Sequence, residues 1–305
     1  MIVCAGEAII DMLPREIDGR PAYAPHAGGA LLNTAIGIGR LGGRAAHLSQ
    51  LSTDLFGDML REVMHASHVD LSLCPVSDRP TTLAFVQLVD GNARYHFYDE
   101  ASAGRTMTVA DLPDLSDQVA ALHMGAVSLI PDPAGHAFET LALREATRRV
   151  ISLDPNIRAN FISDADAHRA RVHRMMGVAD IIKVSDEDMA WLSPRQSPTD
   201  FAAERLADGA TLVVETRGGD GATGHFRGGT VDVGVPKVAV VDTVGAGDTF
   251  NAGLLFTLDR LGRLTRERIA DLTEAELREA LDFAARVAAV TVSRAGADPP
   301  WKDEL

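Results

Sequence analysis

From about residue 120 onward, short β-branched runs alternate with helical stretches, and this rhythm constrains the fold more than any other feature of the chain. Segments 121–127, 150–153, 181–184 and 211–215 read as strands, and 134–149, 165–176, 186–192, 200–207, 247–261 and 274–293 as helices. Strands joined through helices run parallel, because the crossover returns the chain to the same edge of the sheet. The expected class is therefore α/β, with a central, mostly parallel sheet flanked by helices.

The first hundred residues break that rhythm. Segment 1–10 reads as one buried strand, 30–41 as a small-residue helix, 45–51 as a strand and 58–67 as a helix. Residues 13–27, rich in Pro, Gly and charge, read as a loop or an edge hairpin. Two alternating runs, 81–89 and 93–98, flank Asp90-Gly91-Asn92, a hairpin signal. A small β element assembled from about 12–25 and 80–105 is expected to project from a single domain spanning 1–305. The most loop-like internal stretch, 194–198, falls between helices and divides nothing.

Composition narrows the partners. Lys and Arg number 29 against 43 Asp and Glu, a net charge of −14. A face that displaces counterions from nucleic acid or docks on anionic lipid needs the opposite sign. Two cysteines, Cys4 and Cys74, leave no disulfide framework and make the cytoplasm the default compartment. No run approaches the roughly 18 apolar residues of a membrane helix. Glu7 and Asp11 make the amino-terminal stretch a poor signal peptide.

The most informative motif is Asp242-Thr243-Val244-Gly245-Ala246-Gly247-Asp248-Thr249-Phe250-Asn251-Ala252-Gly253, which follows the β-branched run 238–241 and opens a helix. Such a turn exposes free amides at the positive end of the helix dipole, a ready anion site. Asp248 in that position reads either as the helix N-cap or as a general base. Gly37-Ile38-Gly39-Arg40-Leu41-Gly42 matches G-x-G-x-x-G formally, but it falls late in a helix with no strand before it. Its glycines read as close helix packing instead. The chain has no G-x-x-x-x-G-K-[ST] motif.

The 242–255 segment resembles the C-terminal signature of the PfkB (ribokinase-like) carbohydrate kinases. Gly28-Gly29-Ala30-Leu31-Leu32-Asn33-Thr34-Ala35, followed by Leu41-Gly42-Gly43, resembles their N-terminal signature. The similarity continues through Thr216–Gly221 to Ser293–Ala297 and so covers essentially the whole chain. It implies a ribokinase-like fold whose small sheet serves as a lid. It also implies Asp248 as catalytic base, with the backbone of Gly245, Ala246, Gly247 and Asp248 as an anion hole. Asp11, Gly28, Gly29, Asn33, Phe97, Arg105 and Arg158 are then expected on the sugar. Asn156, Lys183, Ser185, Thr216, Gly218, Gly221, Gly245 and Gly247 are expected on the nucleotide.

The expected co-substrate is ATP with Mg²⁺. Ser185 and Asp188 stand where many relatives carry N-x-x-E, which makes Asp188 the candidate for organising Mg²⁺. Asp242 and Val244 are candidates for a K⁺ ion. Gly6–Asp11, Arg79–Thr82, Phe97–Glu100 and Lys183–Glu187 are most similar to the fructokinase branch, so the expected reaction is phosphorylation of the D-fructose 6-hydroxyl. 2-Keto-3-deoxygluconate kinase, favoured by Asp154-Pro155-Asn156-Ile157-Arg158, stays open, with nucleoside kinase behind it. So does a non-catalytic sugar sensor on the same fold. Lid strands in the resembled family often pair between two subunits, so the resemblance implies a homodimer through the lid, which would also cover an exposed sheet edge.

Overall fold

In the computed structural model, which describes residues 1–89 and 92–305, the strands fall into two main groups. In chain order they are β1 (Ile2–Ala5), β2 (Ile9–Ile17), β3 (Arg20–Gly28), β4 (Ala45–Leu48), β5 (Leu51–Ser52), β6 (Val69–Asp70), β7 (Val76–Ser77) and β8 (Leu83–Val89). They continue with β9 (Asn92–Tyr98), β10 (Ala121–Gly125), β11 (Val150–Asp154), β12 (Ile181–Ser185), β13 (Leu212–Thr216), β14 (Ala222–Phe226) and β15 (Gly229–Val233). Asp90 and Gly91 of the expected hairpin turn lie outside the described residues.

Nine strands form the large sheet, ordered β15-β14-β13-β12-β11-β10-β1-β4-β6. From β13 to β6 every neighbouring pair is parallel, while β14 and β15 close one edge antiparallel. The central strands are buried along their whole length because helices cover both faces. Alternation along β1 divides the core. Ile2 and Cys4 join one hydrophobic cluster with Leu31, Leu254 and Leu281, and Val3 and Ala5 join another with Phe138, Leu141 and Ile151.

The small sheet is ordered β3-β2-β8-β9, with β2 parallel to β8 and antiparallel to β3. Its existence turns on one correction. Segment 1–10 is not one strand: β1 stops at Ala5, and Ile9 starts a strand of the other sheet. The chain leaves the large sheet at Gly6, and the buried Glu7 carboxylate accepts from the Ala30 amide, which fixes the turn between sheets. The antiparallel hairpin β14–β15 falls in 222–233, a stretch with no strand in the sequence reading. The helix expected over 134–149 ends at Glu145, and 146–149 form a turn in which Arg149 donates to the Leu115 and Val119 carbonyls before β11 begins.

The late glycines of the helix Ala30–Arg40 do pack closely. A Cβ on Gly37 would stand 2.7 Å from the Ala252 methyl, and one on Gly39 would collide with the Ser67 carbonyl. No described helix is long and apolar enough to cross a membrane. Both cysteines are free.

Candidate active site

The site forms where the carboxyl ends of β1, β11 and β12 meet the start of the helix Ala246–Arg260, the usual ligand edge of an open α/β sheet. That helix begins at Gly245, whose φ of 79° is left-handed. A Cβ there would lie 2.6 Å from the Ala297 methyl, so conformation and space both demand glycine. The Gly247 and Asp248 amides find no acceptor among the described residues. They are free donors at the positive end of the helix dipole.

Asp248 is therefore the third residue of the helix and not its N-cap. Its carboxylate is almost fully buried and accepts from Asn33 Nδ2 at 2.9 Å, and Thr34 Oγ1 donates to its carbonyl at 3.1 Å. Asn33 and Thr34 lie on the helix Ala30–Arg40, brought near by the Gly37–Ala252 packing. Burial raises the Asp248 pKa. The Asn33 hydrogen bond opposes that rise, Asp154 adds to it, and Lys183 and Arg158 also oppose it.

Beneath the helix start lies a buried ion pair. Lys183 Nζ donates to Asp154 Oδ2 at 3.1 Å, and Asn251 Nδ2 donates to the same oxygen at 2.7 Å. A Cβ on Gly247 would be 3.2 Å from Lys183 Nζ, so the ammonium lies against the amide-lined turn. Burial works to lower the Lys183 pKa, but Asp154, Asp188 and Asp248 raise it further than burial lowers it, so the amine stays charged.

Two cavities open on either side of Gly247. The first cavity is lined by Asp11, Gly29, Asn33, Phe97, Asn156, Arg158 and Asp248. It continues past Glu7, Phe97 and Phe161 into a chamber holding Arg105, which pairs with Asp99 at 2.9 Å. Phe97 of β9 meets Phe161 edge-to-face at 4.6 Å, so an aromatic contact joins the small sheet to the body. Gly28 leaves no room for a side chain against the Asp11 carboxylate. Burial, with Asp248 nearby, pushes Asp11 up to about 6. Burial likewise pushes Glu7 to about 7, against hydrogen bonds from Ala30 and Ser128.

The second cavity measures about 530 Å³ and is mostly apolar. Val235, Val238, Val240, Phe250, Ala289 and Val292 form its walls, with Thr216, Gly218 and Gly221 at its rim. An apolar slot with a few polar edges suits a nucleobase. Thr243, Ala246 and Gly247 line both cavities, so ligands in the two would meet at the helix start.

Three expected residues are engaged elsewhere. Ser185 is the N-cap of the helix Asp186–Leu192, and the Asp188 carboxylate closes the capping box. The other Asp188 oxygen accepts from the Ile157 amide at 2.6 Å, so the side chain ties two loops together. Asp242 accepts from the Val244 and Gly296 amides. Among the described residues no group of three or more His, Cys, Asp or Glu side chains is set to hold a metal ion.

Glu7, Phe161, Asp154 and Asn251 went unassigned in the sequence reading. For Asp154 a signal existed: a carboxylate ending an apolar strand at the ligand edge of a parallel sheet.

The sequence and fold match known proteins throughout. Residues 1–304 match the model of the pfkB family carbohydrate kinases. A fructokinase of Rhizobium leguminosarum bv. trifolii is 51% identical over 283 residues, 92% of this chain and 87% of the relative. The crystal structure of a Xylella fastidiosa fructokinase with bound ATP superposes with a TM-score of 0.89 at 28% identity, covering 97% of this chain and 93% of that one. A Vibrio cholerae O395 fructokinase with fructose, ADP and calcium bound superposes at 0.83 and 26% identity, covering 97% and 94%.

Proposed function

We propose that this chain, which belongs to the pfkB family of carbohydrate kinases, transfers the terminal phosphoryl group of ATP to the 6-hydroxyl of D-fructose with Asp248 as general base. The observation that carries this reading is the single junction between the two cavities. There a buried carboxylate held by Asn33 stands beside two free amides. The sugar occupies the Asp11–Asn33–Phe97 cavity and the nucleotide the apolar one. Asp248 takes the proton of the attacking hydroxyl, and burial, by raising its proton affinity, improves it as a base. The Gly247 and Asp248 amides and the Lys183 ammonium meet the charge on the phosphoryl oxygens, fixed before reaction starts.

The residues around the site do not by themselves form a cage for a divalent ion. Mg²⁺ is proposed to arrive with the nucleotide phosphates. A K⁺ ion near Asp242 and Val244 would depend on backbone carbonyls, since both Asp242 oxygens accept from amides. The small sheet is proposed as a lid that excludes water, and Phe97–Phe161 as its contact with the body. Its Ile17, Tyr23 and Tyr98 are exposed and suit the pairing of two copies. We propose a cytoplasmic homodimer.

A coupled ADP-release assay over a sugar panel tests the reading. Fructose is expected to exceed 2-keto-3-deoxygluconate and ribose in kcat/KM by tenfold or more. Preference for the keto acid would instead give Arg158, which lines the acceptor cavity, the deciding role. No ADP release with any sugar would leave a sensor.

A further inference from the structure

Asp154 concentrates its bonding in one oxygen. Oδ2 accepts from both Lys183 and Asn251, while Oδ1, equally buried, has no partner among the described residues. The side chain is 5% exposed and that of Lys183 is 6% exposed. A buried ammonium needs a counter-charge to stay ionised, and the strand end of β11 supplies it. Asn251 stands one helical turn beyond Asp248 on the same helix, so the carboxylate also grips the element that carries the base and the anion hole.

We propose that Asp154 is a positioning residue for phosphoryl transfer: it holds the Lys183 ammonium against the Gly247 backbone and, through Asn251, sets the helix start relative to β11 and β12. The inference rests on reading Asp248 as the base. Asp154 and Lys183 act on that base with opposite sign. The charged groups that bear on Asp248 are Glu7 and Asp11 from the β1–β2 region, Asp154 and Arg158 from β11 and its loop, and Lys183 from β12. Removing Asp154 deletes a charge that resists ionisation of Asp248, and removing Lys183 deletes one that favours it.

The test is the acid limb of kcat/KM against pH in Asp154→Asn and in Lys183→Met, with the KM for ATP measured alongside. Asp154→Asn is expected to move the limb down by about one pH unit, and Lys183→Met up by a similar amount. Both are expected to raise the KM for ATP by about tenfold, the loss of one charge-assisted contact. A merely structural Asp154 would lower kcat and stability with the limb in place; limbs that stay, or move in the same direction, overturn the inference. Should Asp154→Asn not fold, Asp154→Asn/Lys183→Met removes both charges of the pair together, leaving neither partner unpaired, and carries the test. It is expected to fold with a raised KM for ATP, and a KM within twofold of wild type overturns the proposal. Asp248→Asn separates the two levels. If it keeps the wild-type rate, the base reading falls and this inference with it. If it loses the rate while both limbs stay, only the role of Asp154 falls.

Discussion

On the phosphoryl side the site presents mostly backbone. Two amides at a helix start and a left-handed glycine make up the surface, with the buried Lys183 behind Gly247, and each is held by the large sheet or by helix packing. On the acceptor side it presents side chains drawn from the small sheet, the helix Ala30–Arg40 and the loop after β11: Asp11, Asn33, Phe97, Asn156, Arg158 and Phe161. Amides fixed in a helix bind any phosphate in the right place, so that half carries chemistry common to a family. On the proposed function, side chains on a small sheet, a helix and a loop select the molecule that receives the phosphate. The two halves should respond differently to substitution. Phosphoryl-side changes should strike kcat or the KM for ATP, and acceptor-side changes the KM for sugar.

The largest effect falls on the residue both halves share. Asp248→Asn is expected to preserve the fold and the Asn33 contact region while lowering kcat by roughly 10²–10⁴, measured by ADP release at saturating substrates. Next comes Gly245→Ala, which forces a side chain into a left-handed turn against Ala297. Strain of about 1–3 kcal/mol is expected to lower the melting temperature and reduce kcat about tenfold or more. Phe161→Ala sharpens the contrast from the other side, with the KM for sugar rising about tenfold and the KM for ATP unchanged. A matched rise in both would mean the cavities are not separable.

The smallest effect concerns stability. Asp11 is held at about 6 in the folded chain against an ordinary 3.8. A carboxyl whose pKa rises on folding favours the folded state while protonated, and that contribution is lost as pH climbs through about 6. Asp11→Asn is therefore expected to be more stable than wild type near neutral and higher pH. The gain in melting temperature is about 2–4 °C, shrinking toward zero in acid, and sugar binding weakens. A stability difference that ignores pH would contradict the burial of this carboxylate.

What the sequence discloses follows the same division. The Gly245–Asp248 turn is contiguous, so its amides and carboxylate are visible in a dozen letters. The Ala165–Met176 helix lies where the pattern puts it, capped by Asp164. Asp154, Lys183 and Asn251 meet across as many as 97 residues of chain, and no local pattern encodes a triangle of that kind. The division of the first apolar run between two sheets was hidden for a related reason. Ile2–Ala5 and Ile9–Ile10 are equally apolar, and what separates them is a buried Glu7 whose partners, Ala30 and Ser128, lie far along the chain. Asp188 looked like an open carboxylate in the sequence because its acceptor role toward Ile157 belongs to another loop.

The most direct measurement is ³¹P and ¹³C NMR of the products formed from ATP and fructose. The account predicts a single phosphomonoester on the 6-hydroxyl, formed in step with ADP and without free phosphate. Inorganic phosphate as the main product, or ester on another hydroxyl, would contradict a site in which one buried carboxylate joins the acceptor cavity to the amide-lined turn.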